Sequence, residues 1–144
     1  MSSSTQVVCP SCGQINRIPE NKPAEKGKCG ACKSPLFTQS PVEVDAARLQ
    51  RQIQKSGVPL VVDFWAPWCG PCQMMAPAFQ QAAARLEPRA RLLKVNTEQN
   101  PQAAAPFGIR GIPTTIMFKN GSEVARTTGA LDLNRLVQFV ESHL

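Results

Sequence analysis

The period of the apolar positions changes repeatedly along the chain, and each change marks an element. Residues 1–6 are polar and serine-rich, which predicts a frayed terminus. Residues 14–28 carry little apolar bulk beyond Ile15 and Ile18, too little to close a core of their own. Residues 36–44, with Pro35 before them and Pro41 among them, read as a connector in which Val42 starts a short strand. Asp45 offers an N-cap for a helix over 45–55 whose Leu49 and Ile53 share a face, and Gly57 with Pro59 ends it. Leu60-Val61-Val62-Asp63-Phe64-Trp65 is apolar except for its aspartate, the pattern of a central strand covered on both faces. A helix follows from Cys69 to about Leu86, with Met75, Phe79, Ala82 and Leu86 inward and a kink expected at Pro77. Residues 91–96 give another strand, 101–107 a short helix or irregular turn, and 114–118 a third strand. Asn120-Gly121 then turns the chain into an edge strand over 123–128. A last helix over 132–143 places Leu133, Leu136, Val137 and Val140 inward.

Strand, helix, strand, helix, then hairpin and helix imply an α/β domain with a mixed sheet and helices on both sides. The 144 residues hold one ordinary domain of about 100 residues plus a small appendage. No run approaches the ~18 apolar residues of a membrane span. The start lacks the charged and apolar sections of a signal peptide, so the expected location is cytoplasmic.

Composition changes this picture through cysteine. Six cysteines fall into three pairs at the same close spacing, which without a secretion signal points to metal binding or redox chemistry. Cys9-Pro10-Ser11-Cys12-Gly13 and Cys29-Gly30-Ala31-Cys32-Lys33 are separated by 16 residues, inside the range of roughly 15–20 found in four-cysteine zinc sites. Two such loops turn four sulfurs to one point, a tetrahedral set that suits zinc. Gly13 and Gly30 are expected to let backbone amides approach those sulfurs. With no histidine before His143, the set reads as closed around one structural zinc ion; a metal-releasing redox sensor and plain disulfides are the other uses of the same residues. The metal is expected to hold this part together. The expected division is a zinc-binding module over 1–37 and a catalytic domain over 38–144. Formal charge is +6, and residues 1–40 hold five basic side chains against two acidic ones. Four thiolates on one zinc ion add about −2, so the basic excess does not amount to a nucleic-acid surface.

The third pair lies in Trp65-Ala66-Pro67-Trp68-Cys69-Gly70-Pro71-Cys72, where strand gives way to helix. Unpaired amides at a helix start favour a thiolate, and Pro71 suits the first turn. A thiolate at Cys69 can attack a disulfide in another molecule, and Cys72, one turn on, can resolve the mixed disulfide, moving two electrons. A half-zinc site or an inert pair is the bland alternative, but the other pairs already complete a four-ligand set. As first of the pair, Cys69 is expected to present the more exposed sulfur and Cys72 to be buried. Asp63, inside an apolar strand, has to be neutral, paired or hydrated. It either makes a structural hydrogen bond at a strand end or, with its pKa raised by burial, accepts the proton of Cys72. Trp68, beside the nucleophile, reads as a partner-binding surface rather than a stray surface aromatic.

These segments, together with Pro77, Lys94-Val95-Asn96, Gly108-Ile109-Arg110-Gly111-Ile112-Pro113-Thr114, Phe118-Lys119-Asn120-Gly121 and Gly129-Ala130, resemble the thioredoxins over nearly all of 58–144. With the four-cysteine module in front, the chain is similar to the thioredoxin 2 type of bacteria, and the module to zinc ribbons. The resemblance implies a thioredoxin fold, a mixed sheet of four or five strands flanked by helices, preceded by a small zinc-ribbon-like module. It implies a protein disulfide reductase that acts on disulfide-containing proteins, is recharged by an NADPH-dependent thioredoxin reductase and binds no organic cofactor; a monomer is expected. It also implies a cis bond before Pro113 facing the cysteine pair, Lys94 as charge partner of Asp63, and a docking rim of Gly111, Ile112, Gly129 and Ala130 beside Gly70, Pro71 and Pro113. For Lys94 the plainer alternative is a lysine whose tail reaches solvent, and for the glycines it is turn chemistry. Gly70-Pro71 resembles the reducing members rather than the oxidases or isomerases. Pro67 and Gln73 depart from residues common in the family. The alternative function is a zinc-dependent redox sensor or binding adaptor in which the cysteine module is the regulated element.

Overall fold

The structure, a computed structural model, describes residues 4–144. Two strands, β1 (Ser4–Val8) and β2 (Ile15–Pro19), pair as an antiparallel hairpin. The central sheet is formed by β3 (Val42–Glu43), β4 (Leu60–Trp65), β5 (Arg91–Asn96), β6 (Thr114–Lys119) and β7 (Ser122–Thr128), in the order β3-β5-β4-β6-β7. Pairing is parallel among β3, β5 and β4 and antiparallel from β4 through β6 to β7. Helices α1 (Ala46–Lys55), α2 (Gly70–Leu86), the short α3 (Pro101–Ala104) and α4 (Leu133–Glu141) cover it.

Alternation along the strands assigns each side chain to one of two layers. Leu60, Val62 and Phe64 of β4 join Leu49 and Ile53 of α1 on one face. Val61 meets Met75, Phe79 and Leu86 of α2 and Leu136 and Val140 of α4 on the other. Asp45 caps α1 as expected, accepting the Arg48 amide at 2.8 Å, and Asp132 caps α4 in the same way, accepting the Arg135 amide at 2.8 Å. Helix α2 is unbroken through Pro77. Asn120 and Gly121 have φ of 52° and 84°, the left-handed pair that a two-residue hairpin turn requires.

Two expectations for the N-terminal part are corrected. Residues 4–6 are the start of β1 rather than a frayed end, and residues 1–3 lie outside the described residues. The reason is tertiary: the Gly57 amide donates to Gln6 O at 2.7 Å, and Gln6 Nε2 donates to Lys55 O at 2.7 Å. A Cβ on Gly57 would stand 2.9 Å from Gln6 O, so only glycine permits this approach. The second correction concerns what holds the module. Val7, Ile18, Leu36 and Phe37 form a small core with Val58, so Leu36 and Phe37 are not a bare connector and metal is not the sole source of cohesion. Polar contacts complete the seam. Arg91, 1% exposed, donates from Nη2 to Leu36 O at 2.6 Å and lies 4.5 Å from the Phe37 ring centroid. Glu87 accepts the amides of Gln39 at 3.0 Å and Leu92 at 3.1 Å. Arg51 Nε donates to Gly13 O at 2.8 Å and Gln52 Nε2 to Val8 O at 3.2 Å. Six of the seven buried residues in this core come from residues 7–37 and only Val58 from beyond, so the apolar bulk missing from 14–28 is supplied chiefly by Val7, Leu36 and Phe37 on either side of it.

Candidate functional site

The end of β4 and the start of α2 set Cys69 at the N-cap and Cys72 in the first turn, next to Gly70 and Pro71. The two cysteines are joined as a disulfide with their Cα atoms 5.3 Å apart. The Cys72 amide donates to Cys69 Sγ at 3.2 Å, placing a helix-start N–H on the sulfur, the contact that stabilises a thiolate there. The expected open exposure of Cys69 is not met in this disulfide state: Cys69 is 4% and Cys72 3% exposed. Ala66, Trp65 and Ile112 pack around the pair, and the Ile112 carbonyl oxygen lies 3.7 Å from Cys69 Sγ.

The Ile112–Pro113 bond is cis, as the resemblance implied. Trp68 stands 71% exposed, and with Ile109, Gly111 and Ile112 it borders a hollow of about 230 Å³. Gly129 is tied to this edge by its amide, which donates to Pro113 O at 2.8 Å; Ala130 follows, exposed. Pro67 and Gln73, noted separately as departures, are partners: Gln73 Nε2 donates to the Pro67 carbonyl across the cysteine loop.

Asp63 is 1% exposed, and its pKa is raised from 3.8 to about 7, first by burial; Lys94 opposes that shift and Glu43 adds to it. Lys94 faces Asp63 across β4 and β5 and Glu43 across β3 and β5. Its ammonium lies over the Trp65 ring, 4.7 Å from the centroid, and it acts on Asp63 through space. Glu43 escaped the sequence reading altogether. It accepts Trp65 Nε1–H at 3.1 and 3.2 Å, and only the register of a two-residue strand brings it to the site.

The four remaining cysteines are free thiols gathered in one place, every sulfur within 4.8 Å of the others. Cys9 and Cys32 approach to 3.6 Å, as do Cys12 and Cys29. Sulfurs about 2.3 Å from a central ion stand about 3.8 Å apart in a tetrahedron, so the cluster fits a single four-coordinate metal. The two loops repeat one turn. Cys9 N bonds Gln14 O at 2.9 Å and Gly13 N bonds Cys9 O at 3.0 Å; Cys29 N bonds Ser34 O at 2.8 Å and Lys33 N bonds Cys29 O at 3.0 Å. Amides do reach the sulfurs, but from Ser11, Cys12 and Ala31 at 3.4 to 3.5 Å, not from the glycines. Gly13 instead supplies a left-handed φ of 80°, and Lys33 takes the matching position at 68°. Asn16 braces the second loop, accepting the Gly30 amide at 2.9 Å and donating to Cys29 Sγ at 3.5 Å.

Comparison with known proteins agrees with both parts. The family model "Thioredoxin" matches residues 40–142, and "Thioredoxin 2, N-terminal", a zinc ribbon, matches residues 8–34. The chain is 41% identical to "Thioredoxin C-3" of Corynebacterium nephridii over 138 residues, 96% of this chain and 94% of that protein. It is 44% identical to "Thioredoxin 1" of a Nostoc species over 102 residues, 71% of this chain and 95% of that one. Among solved structures, the N21Q mutant thioredoxin from Halobacterium salinarum superposes with a TM-score of 0.67 at 30% identity, covering 74% of this chain and 93% of that one. No helix among the described residues is long and apolar enough to cross a membrane. The chain therefore belongs to the thioredoxin family of thiol–disulfide oxidoreductases and is a protein disulfide reductase.

Proposed function

We propose that Cys69 is the attacking thiolate, Cys72 the resolving thiol and Asp63 the proton acceptor of a dithiol reductase. The observation that carries this assignment is the cysteine pair itself, at bonding distance on the first turn of α2 with an amide donating to Cys69 Sγ. In the reduced protein the Cys69 thiolate attacks one sulfur of a substrate disulfide; a new S–S bond forms, the substrate bond breaks, and the released substrate thiolate takes a proton from water. Cys72 then gives its proton to Asp63 and attacks Cys69 Sγ. The Cys69–Cys72 bond forms, the mixed disulfide breaks, and the second substrate sulfur leaves as a thiolate that takes a proton from water. Two electrons have passed to the substrate. A carboxyl group poised near neutrality suits the acceptor role, and Lys94 moderates its charge. Trp68, Gly70, Pro71, Gly111, Ile112, Pro113, Gly129 and Ala130 form the edge on which a protein substrate lies.

Return to the dithiol is assigned to an NADPH-dependent thioredoxin reductase, in keeping with the family, and the protein is read as a cytoplasmic monomer. Residues 1–37 are assigned as the metal-binding module and 38–144 as the catalytic domain. Cys9, Cys12, Cys29 and Cys32 hold one structural zinc ion, which suits their sulfur-only donor set and the 3.6 Å sulfur approaches. The test is insulin reduction coupled to NADPH and thioredoxin reductase. Cys69→Ser is expected to abolish turnover and Cys72→Ser to accumulate a mixed disulfide; turnover by Cys69→Ser would overturn the assignment. Thioredoxins have potentials of about −270 mV and protein disulfide isomerase about −180 mV, so a value near the latter would overturn the reducing direction.

A further inference from the structure

One buried side chain beside the site has no part in the chemistry above. Strand register places Glu43, Lys94, Asp63, Thr115 and Thr127 side by side on β3, β5, β4, β6 and β7. This polar row crosses the whole sheet on the face covered by α2, next to the apolar row of Val61, Leu92 and Met117. Asp63 and Thr115 are each 1% exposed, and neither Asp63 Oδ1 nor Thr115 Oγ1 has a hydrogen-bond partner. Buried oxygens are rarely left so.

Packing does not explain the hydroxyl. Valine has the same branched shape and favours strands as strongly. The adjacent Thr114 hydroxyl, by contrast, is occupied by Gly111 O and Thr128 Oγ1. Directly opposed residues on antiparallel strands have Cβ atoms about 4.5–5.5 Å apart, a span that one interior water bridges between two polar groups. A hydroxyl donates and accepts, so it serves both a carboxylate and a carboxylic acid.

We propose that Thr115 is a positioning residue for Asp63: Thr115 Oγ1 and Asp63 Oδ1 share one interior water, and this unit holds the carboxyl group in place while it takes up and releases the proton of Cys72. The proposal rests on the proton-acceptor reading of Asp63. The charged groups acting on Asp63 are Lys94 from β5 and Glu43 from β3, and Cys72 is a buried titratable residue of α2, the helix that covers this face.

Donation toward the carboxylate favours its charged form and opposes the rise caused by burial. Thr115→Val is therefore expected to move the Asp63 titration, followed by carboxyl carbon NMR in the reduced and oxidised protein, upward by about one pH unit, a tenfold change. Thr115→Ser, which keeps the hydroxyl, is expected to titrate like the unaltered protein. In an Asp63→Asn background, adding Thr115→Val should leave the pH profile of insulin reduction where it is. An Asp63 titration unmoved by Thr115→Val, a serine variant that behaves like the valine variant, or a further profile shift in the Asp63→Asn background would each overturn the proposal. If Asp63→Asn alone left the pH profile unchanged, the proton-acceptor reading would fall, and with it the purpose assigned to the tether; the NMR titration would still report whether Thr115 reaches Asp63.

Discussion

Asp63→Asn tests the electrostatics of the site through stability, without any substrate. The folded carboxyl titrates at about 7, raised from 3.8 by burial against the partial opposition of Lys94. In the unfolded chain it returns to about 3.9. Below both values the acid is protonated in either state and contributes no pH dependence. Between them the unfolded chain gives up its proton while the folded protein keeps it, so the unfolded state gains about 1.36 kcal/mol for each pH unit. Above about 7 both states are ionised and the loss is complete. Across the gap of roughly three units this amounts to about 4 kcal/mol, a large part of the 5–15 kcal/mol of a typical domain. Asparagine does not titrate and is free of this term. Glu43 and Glu87, also raised chiefly by burial, act with the same sign but are present in both proteins, so the difference isolates Asp63. Urea unfolding of the oxidised protein should show the asparagine variant gaining about 4 kcal/mol on the parent between about pH 4 and about pH 8. Parallel curves would refute the raised pKa. A variant that instead lost ground toward alkaline pH would show that Lys94 holds Asp63 as a tight ion pair with a lowered pKa.

Three further outcomes follow from the module and its seam. Arg91→Ala removes a buried guanidinium from Leu36 O and the Phe37 ring, and should cost about 3–5 kcal/mol in denaturant unfolding; a loss below about 1 kcal/mol would show that the seam is not tied there. Lys33→Gly relieves a left-handed backbone position and should stabilise the module by about 1 kcal/mol, less the Lys33 Nζ bond to Gly30 O, read as slower amide exchange around Cys29. Cys12→Ser removes one of four clustered sulfurs and should lower bound zinc per chain in metal analysis; unchanged zinc content would show that the other three sulfurs suffice.

Periodicity and motif spacing made the main elements legible because their signals are local. Asp45 and Asp132 cap through amides three residues on, and Asn120-Gly121 turns the chain by its own backbone preferences. Each close cysteine spacing likewise makes a local turn in which an amide two or three residues on reaches the first sulfur, although the 3.6 Å sulfur approaches of the four-cysteine cluster run between the two loops. Contacts between distant segments left no such mark. Glu43 reaches Trp65 only through a two-residue strand, and β1 is ordered by Gly57, about fifty residues away.

What connects the two groups is the set of polar residues standing at apolar positions. Asp63 stands out because a charge interrupts an otherwise apolar run, whereas Arg91 and Glu87 carry no such local mark and are enclosed only by folding. Their partners separate two uses of buried polarity. Both carboxylate oxygens of Glu87 accept amides, Arg91 donates to Leu36 O, and Asn96 Oδ1 accepts the amides of Glu98 and Gln99 at 3.0 and 3.2 Å. Such groups are neutralised by what they hold, and they build the seam and the end of β5. Asp63 Oδ1 and Thr115 Oγ1 have no partner within the protein, and they oppose each other in the layer under α2. Gln52 Oε1 is the one other unpartnered atom of this kind among the described residues, and its amide already binds the module through Nε2. The first set is tied to the scaffold by amide and carbonyl partners, whereas Asp63 and Thr115, opposed on β4 and β6, have only the shared water proposed above to satisfy them, which leaves the carboxyl group free to change its protonation.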